Sequence, residues 1–220
     1  MANSTELVLV RHGEAICNVE GVVGGERGCR GLSARGREQV HSVAKSLAQE
    51  HTTAPFDVLI ATPRRRVLES AEIVSAAVGL DVVVEPDLRG PDHGEADGRP
   101  WTAVKAAFGG PPQSDPGRSY SIGGEPWNAY LTRTAGALRA ILNRYAGQRV
   151  LVVAHGETVE SAHTLLLGLP PGACREVRFT VGHASLTRWQ RHVNRFGQCY
   201  WILDSHNDVS HLHGMCDDNV

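Results

Sequence analysis

"LVLVRHGEA", residues 7–15, is the stretch on which the fold turns. Leu7–Val10 is an unbroken apolar run with no polar alternation. It therefore reads as a strand buried on both faces, as in a parallel sheet covered by helices on either side. The run ends on Arg11 and His12, followed by Gly13 and Glu14. Either these two side chains cap the strand in a structural role, or they sit at its tip because chemistry happens there. In open α/β sheets, ligands bind beyond the carboxyl ends of the strands.

Outward from this stretch, strand and helix signals alternate. Residues 19–31 are rich in glycine and read as a loop. Ser33 is placed to cap a helix in which Val40, Val43, Ala44, Leu47 and Ala48 recur at helical spacing. Phe56–Ala61 is a second apolar run, followed by helical spacing at Val67, Ala71, Val74 and Val78. Val82–Val84 is a third strand. Helical period returns at Trp127, Leu131, Thr134, Leu138, Ile141 and Tyr145. Val150–Ala154 is the clearest buried strand, with a helix near 158–167 behind it. Residues 185–190 and 199–204 are the last strands. This order implies an α/β three-layer sandwich, a mostly parallel sheet flanked by helices. Residues 86–124 carry many Gly and Pro around one short helix, Trp101–Phe108. They read as an irregular cap insertion within a single domain spanning 1–220.

Composition narrows the function classes. The chain has 220 residues, 41% hydrophobic and 21% charged, with a formal net charge of −2. That length buries a core without disulfides or metals. The charge gives no general pull toward nucleic acid or an anionic membrane, so neither is expected as a partner. No apolar run approaches the roughly 18 residues of a membrane span. The 5 Cys are odd in number and include no CxxC pair. They fit free thiols in a reducing compartment, and with no leader pattern the expected location is cytoplasmic. No metal is expected, because His206, His211 and His213 match no strong ligand spacing. "GVVGGERG" lacks the preceding strand of a dinucleotide site.

Three strand ends carry cationic groups: Arg11-His12 after the first, Arg64-Arg65-Arg66 after the second, and His155-Gly156 after the strand at 150–154. If those strands are neighbours, two arginines and two histidines share one volume, and an anion is needed to offset their repulsion. A phosphoryl group suits it. Guanidinium forks bind phosphate oxygens in pairs, and a neutral imidazole is a nitrogen nucleophile near pH 7. Gly13 and Gly156 would let backbone approach the phosphate.

In this order the motifs resemble those of the histidine phosphatase superfamily, the phosphoglycerate-mutase-like group. "LVRHGEAICN" is similar to its opening motif through Asn18. "GLSARGREQ" (31–39), "ATPRRRVLESAEI" (61–73), "GGEPWNAY" (123–130), "VLVVAHGE" (150–157) and "HNDVSHL" (206–212) resemble later segments. The resemblance implies His12 as the phosphorylated nucleophile, with Arg11, Arg66 and His155 completing the phosphate pocket. It selects Arg66 among the three arginines, places Asn18 near the substrate phosphate, and implies no cofactor. One departure stands out. The family's L-x-E-x-x-x-G-x-x-x-G segment is "LRGPDHGEADG" (88–98) here, so its acid Glu becomes Gly90. Asp92 is the first replacement expected, with His93, Glu95 and Glu157 as others. Glu157 is also placed to orient His155 or contact substrate.

The expectation is a metal-independent phosphoric monoester hydrolase of the histidine acid phosphatase type. It would act on a small phosphorylated molecule through phosphohistidine. A phosphoglycerate-type mutase and a weakened phospho-ligand binder are the alternatives. A homodimer is compatible with the sequence.

Overall fold

The computed structural model describes residues 4–170 and 177–214. The expected sheet is present. Its strands are β1 (Glu6–Arg11), β2 (Val58–Ala61), β3 (Val82–Val84), β4 (Arg149–Ala154), β5 (Leu186–Val193) and β6 (Cys199–Asp208), in the spatial order β3-β2-β4-β1-β5-β6. The first four run parallel; β5 returns antiparallel along the β1 edge, and β6 pairs antiparallel with β5 and so runs with the first four. β4 lies between β2 and β1, with Leu9 opposite Val152 and Ile60 opposite the same Val152 on the other side. The three strands that end in cationic residues are therefore adjacent.

Helices cover both faces. α2 (Ala34–Thr53) and α3 (Arg65–Val78) pack on one. α5 (Trp127–Arg144) and α6 (Gly156–Leu166) pack on the other. The short α1 (Ile16–Val19) and α4 (Trp101–Phe108) lie outside the layers. Strand alternation sorts the core. Val8, Val10, Leu59, Ala61, Leu151 and Val153 join Val40, Val43 and Leu47 of α2 and Val67 and Val74 of α3. Leu7, Leu9, Ile60, Val150 and Val152 join Leu138 and Ile141 of α5 and Val159 of α6. Burying each such side chain contributes roughly 1.5–3 kcal/mol, so the two cores are the main reason the sheet holds its register.

Local signals hold with small shifts. Ser33 caps α2, its Oγ accepting the Gly36 N–H at 2.9 Å. Gly79 closes α3 with φ of 73°, a left-handed cap that suits glycine. The second strand starts two residues later than the apolar run, because Phe56 packs into the core before pairing begins. The fourth large helix starts at Gly156, not 158, so His155 is its N-cap residue. β5 and β6 run past the expected ends, into positions such as His192 and Asp208 whose polar side chains give no strand pattern. Residues 86–124 form an irregular excursion whose Ala96, Val104, Phe108 and Tyr120 make a small cluster with Val23 of the 19–31 loop. Asp97 ties the 19–31 loop to it, accepting N–H bonds from Gly25, Arg27 and Gly28 at 2.8, 2.7 and 2.9 Å. No described helix is long and apolar enough to cross a membrane. Among the described residues Cys17, Cys29 and Cys199 are free thiols; Cys174 and Cys216 lie outside them.

Candidate active site

The carboxyl ends of β1, β2 and β4 bring His12, Arg66 and His155 into direct contact. Arg66, in the first turn of α3, donates from Nε to His12 Nε2 at 3.0 Å. A second nitrogen of the same guanidinium lies 3.2 Å from His155 Nδ1, and its third donates to the Gly24 carbonyl at 2.7 Å. The two imidazoles meet edge to face, centroids 5.5 Å apart. His12, Arg66 and His155 are all buried.

These contacts set the tautomers. His12 Nδ1 is 2.7 Å from the Gly13 carbonyl, so Nδ1 carries the proton and Nε2 keeps its lone pair. His155 Nε2 lies 3.0 Å from Thr62 Oγ1, which leaves Nδ1 to accept from Arg66. Burial, then the charges of Arg66 and Arg11, hold His12 well below the ordinary histidine pKa. Burial, then Arg66 and Arg64, do the same for His155. Both rings are therefore neutral at pH 7.

Arg11 flanks the pair. One terminal nitrogen donates to the Val181 carbonyl and the other lies 3.0 Å from His183 Nε2. Its Nε is buried without a hydrogen-bond partner among the described residues, as is Nε of Arg64. Arg64 is also buried, with an ion pair to Glu26 at 2.8 Å. Arg65 points away and pairs with Glu69 at 2.9 Å. A tetrahedral dianion seated here would meet several fixed donors, and its charge would offset the mutual repulsion of the guanidiniums.

The other expected residues divide. Gly156 faces Arg11, where an added Cβ would stand 3.5 Å from Nε. Gly13 serves a different approach from the one expected. An added Cβ would stand 2.2 Å from the Gly36 carbonyl, so its bareness lets β1 meet α2. Asn18 is exposed, and its Oδ1 accepts the Ala15 N–H at 3.0 Å, capping α1. Asp92 is exposed and makes a turn, its Oδ1 accepting the Gly94 N–H at 3.0 Å. Glu157 opens α6, is half-buried, and lines a cavity with His93, Tyr120 and Trp127. His93 is buried, its Nδ1 bonded to the Tyr120 hydroxyl; burial, then Arg64, holds it down to about 4. Glu95 is exposed. Gly90 sits directly on the site: a Cβ there would stand 3.3 Å from His155 Nε2. His206 and His211 are engaged apart, with His163 and the Ala184 carbonyl, and no described cluster of three or more His, Cys, Asp or Glu could hold a metal.

Two residues escaped the sequence reading. His183 lies 5.9 Å from His12 between ring centroids, and burial, then Arg11, lowers it to about 3. Thr62 fixes His155. Its signal was its place between β2 and the arginines.

A family model described as the histidine phosphatase superfamily (branch 1) matches residues 7–204. A protein of Yersinia enterocolitica named probable phosphoglycerate mutase GpmB is 29% identical over 216 residues, which span 94% of each chain. Among solved structures, a mycobacterial glucosyl-3-phosphoglycerate phosphatase superposes with a TM-score of 0.77 at 24% identity, covering 92% of this chain and 98% of that one. A phosphoserine phosphatase mutant from Entamoeba histolytica, in complex with phosphoserine, superposes with a TM-score of 0.73 at 20% identity, over 94% of this chain and 99% of that one. At those identities the two structures share the fold.

Proposed function

The chain belongs to the histidine phosphatase superfamily, and from that membership we propose that it is a metal-independent phosphatase hydrolysing a small phosphate monoester through phosphohistidine. The observation that carries this reading is the Arg66 bridge, which holds His12 Nε2 and His155 Nδ1 at 3.0 and 3.2 Å. It aims the unprotonated nitrogen of a neutral, oriented imidazole at the place where guanidinium donors converge.

In the first step His12 Nε2 attacks phosphorus as the bond to the alcohol oxygen breaks. The equatorial oxygens are met by Arg11 and Arg66, the latter held in place by His155 Nδ1, and positioning with fixed charge is most of what phosphoryl transfer requires. The leaving oxygen needs a proton, and Gly90 supplies none. Glu157 fits this task better than Asp92. Asp92 has an oxygen committed to its turn, whereas Glu157 has no hydrogen-bond partner among the described residues and stands at the cavity where an alcohol would depart. In the second step water attacks the phosphohistidine, its proton returns to Glu157, and inorganic phosphate leaves with His12 free. Residues 86–124 then act as the specificity cap of a single catalytic domain.

The test is a panel of phosphate monoesters with EDTA present, run on wild type and His12→Ala, with acid-stable and acid-labile phosphoprotein assayed after quenching. Wild type releases inorganic phosphate and traps acid-labile label. His12→Ala loses at least ~10³-fold in kcat/KM and traps none. Label that persists in His12→Ala, or activity removed by EDTA, contradicts the reading. The likeness to a protein named phosphoglycerate mutase keeps a second reading open. It predicts bisphosphate-primed exchange between phosphoglycerate isomers in place of phosphate release. Tight phosphate binding with neither activity would mark a binding protein.

A further inference from the structure

We propose that the leaving-group side of the site takes a flat π ring, so that the substrate is a phosphate monoester whose alcohol carries an aromatic or nucleobase ring close to the phosphate. This rests on the phosphatase reading and goes beyond it by naming the substrate class.

The supporting feature is a cavity of about 300 Å³ whose lining includes Trp101, Tyr120, Trp127, Pro91, Lys105 and Glu157. The rings of Trp101 and Tyr120 have centroids 6.0 Å apart with planes inclined by 35°. His93 meets Trp101 edge-on at 5.9 Å and meets Tyr120 at 6.0 Å, so three rings form one wall. The volume is at the small end for ligand pockets, which suits one ring system better than an extended chain.

The cavity is tied to the chemistry through Glu157 in its lining, which is close enough to Arg11 to interact with it electrostatically. Glu157 is two residues past His155. Pro91 follows Gly90, where an added Cβ would stand 3.3 Å from His155 Nε2. His93 lines both this cavity and a second one of about 410 Å³ that includes Arg64 and Gly90. Absence of a side chain at Gly90 thus leaves room for a group bulkier than a three-carbon chain between the arginines and the aromatic wall.

Charge argues the same way. Among the described residues no arginine lines the aromatic cavity. The described lysine of its lining, Lys105, sits over Trp101, with Nζ 5.7 Å from the ring centroid. A glycerate or serine carboxylate placed here would lose water against apolar rings, with no guanidinium fork among the described lining residues to receive it. A neutral ring loses little water and gains edge or face contacts, each adding about three- to tenfold in affinity.

The experiment compares primary alkyl phosphates, so that the leaving oxygens are chemically alike. 2-Phenylethyl phosphate and uridine 5′-monophosphate carry rings; glycerol 3-phosphate, 3-phosphoglycerate and phosphoserine do not. The wild-type protein is expected to favour at least one ring-bearing ester by tenfold or more in kcat/KM, and the two ring arms separate an aryl from a nucleoside source. Trp101→Leu and Trp127→Leu each narrow that preference threefold or more; the readout is a ratio, so partial loss of folded protein cancels. Equal or faster hydrolysis of 3-phosphoglycerate or phosphoserine overturns the ring pocket and leaves the phosphatase reading intact. Binding of the same esters to His12→Ala, by calorimetry, separates the opposite case. A ring preference there without wild-type turnover supports the pocket and sinks the phosphatase reading.

Discussion

At the scale of single residues, the sharpest question is which carboxyl replaces the one missing at Gly90. Glu157 lines the aromatic cavity with no hydrogen-bond partner among the described residues, and Asp92 is tied into a turn with Gly94. A general acid contributes about 10²–10⁴-fold, and most where the leaving group is poor. Glu157→Gln is therefore expected to lower kcat/KM for an alkyl phosphate by about 10²-fold while p-nitrophenyl phosphate changes by only a few fold. Asp92→Asn is expected to lower both by similar small factors. A selective loss in Asp92→Asn, measured on the same two esters, would transfer the role to Asp92. The sequence displayed His12, Arg11 and His155 openly, because each directly follows an apolar strand. It concealed His183. His183 precedes β5, which runs antiparallel to β1 and brings its amino end, not its carboxyl end, to the same rim. Arg66 could be told from Arg64 and Arg65 only by motif resemblance, since all three open the same helix and only its geometry decides which reaches His12.

At the scale of elements, α6 links the site to a titrating core. It begins just after His155, and seven residues further along the helix His163 is fully buried, its Nε2 3.1 Å from His206 Nδ1 and its ring 4.2 Å from Phe179. Burial, then the charge of His206, holds His163 down to about 4. The folded value lies below the unfolded one of about 6.5, so as pH falls the unfolded chain takes up this proton first. The stability contributed is full above about pH 6.5 and is lost as pH falls toward 4. His163→Phe keeps a ring among Phe179 and Trp189 but takes up no proton. Its melting temperature should fall less than that of wild type between pH 7 and pH 4.5, by calorimetry or circular dichroism. Parallel falls would exclude His163 as a source of acid sensitivity. The helices themselves were legible from apolar spacing, whereas β6 beyond residue 204 was not. Residues 205–208 are all polar and all half-buried on an edge strand, so burial stamps no alternation on them.

At the scale of the molecule, the sheet gathers Arg11, Arg64 and Arg66 from two segments and sets them around uncharged imidazoles. Folding must overcome that repulsion, and an anion that binds only the folded form offsets it. Inorganic phosphate at about 100 times its Kd should add ~2.7 kcal/mol and raise the melting temperature by roughly 5–10 °C. Arg66→Ala should abolish the rise; an undiminished rise would place the anion elsewhere. The three-layer order was readable because consecutive elements alternate, but which strands touch was not, since pairing joins distant segments. β1 shows what this entails. Its Glu6 registers with Arg149 on one side and Gln190 on the other. β1 is thus synthesised well before either neighbour and waits for both. Assembly cannot proceed from front to back, His12 is seated among the last events, and closure of such long loops places folding toward the slow, milliseconds-to-seconds regime, with an apolar ribbon exposed meanwhile to chaperones or to aggregation.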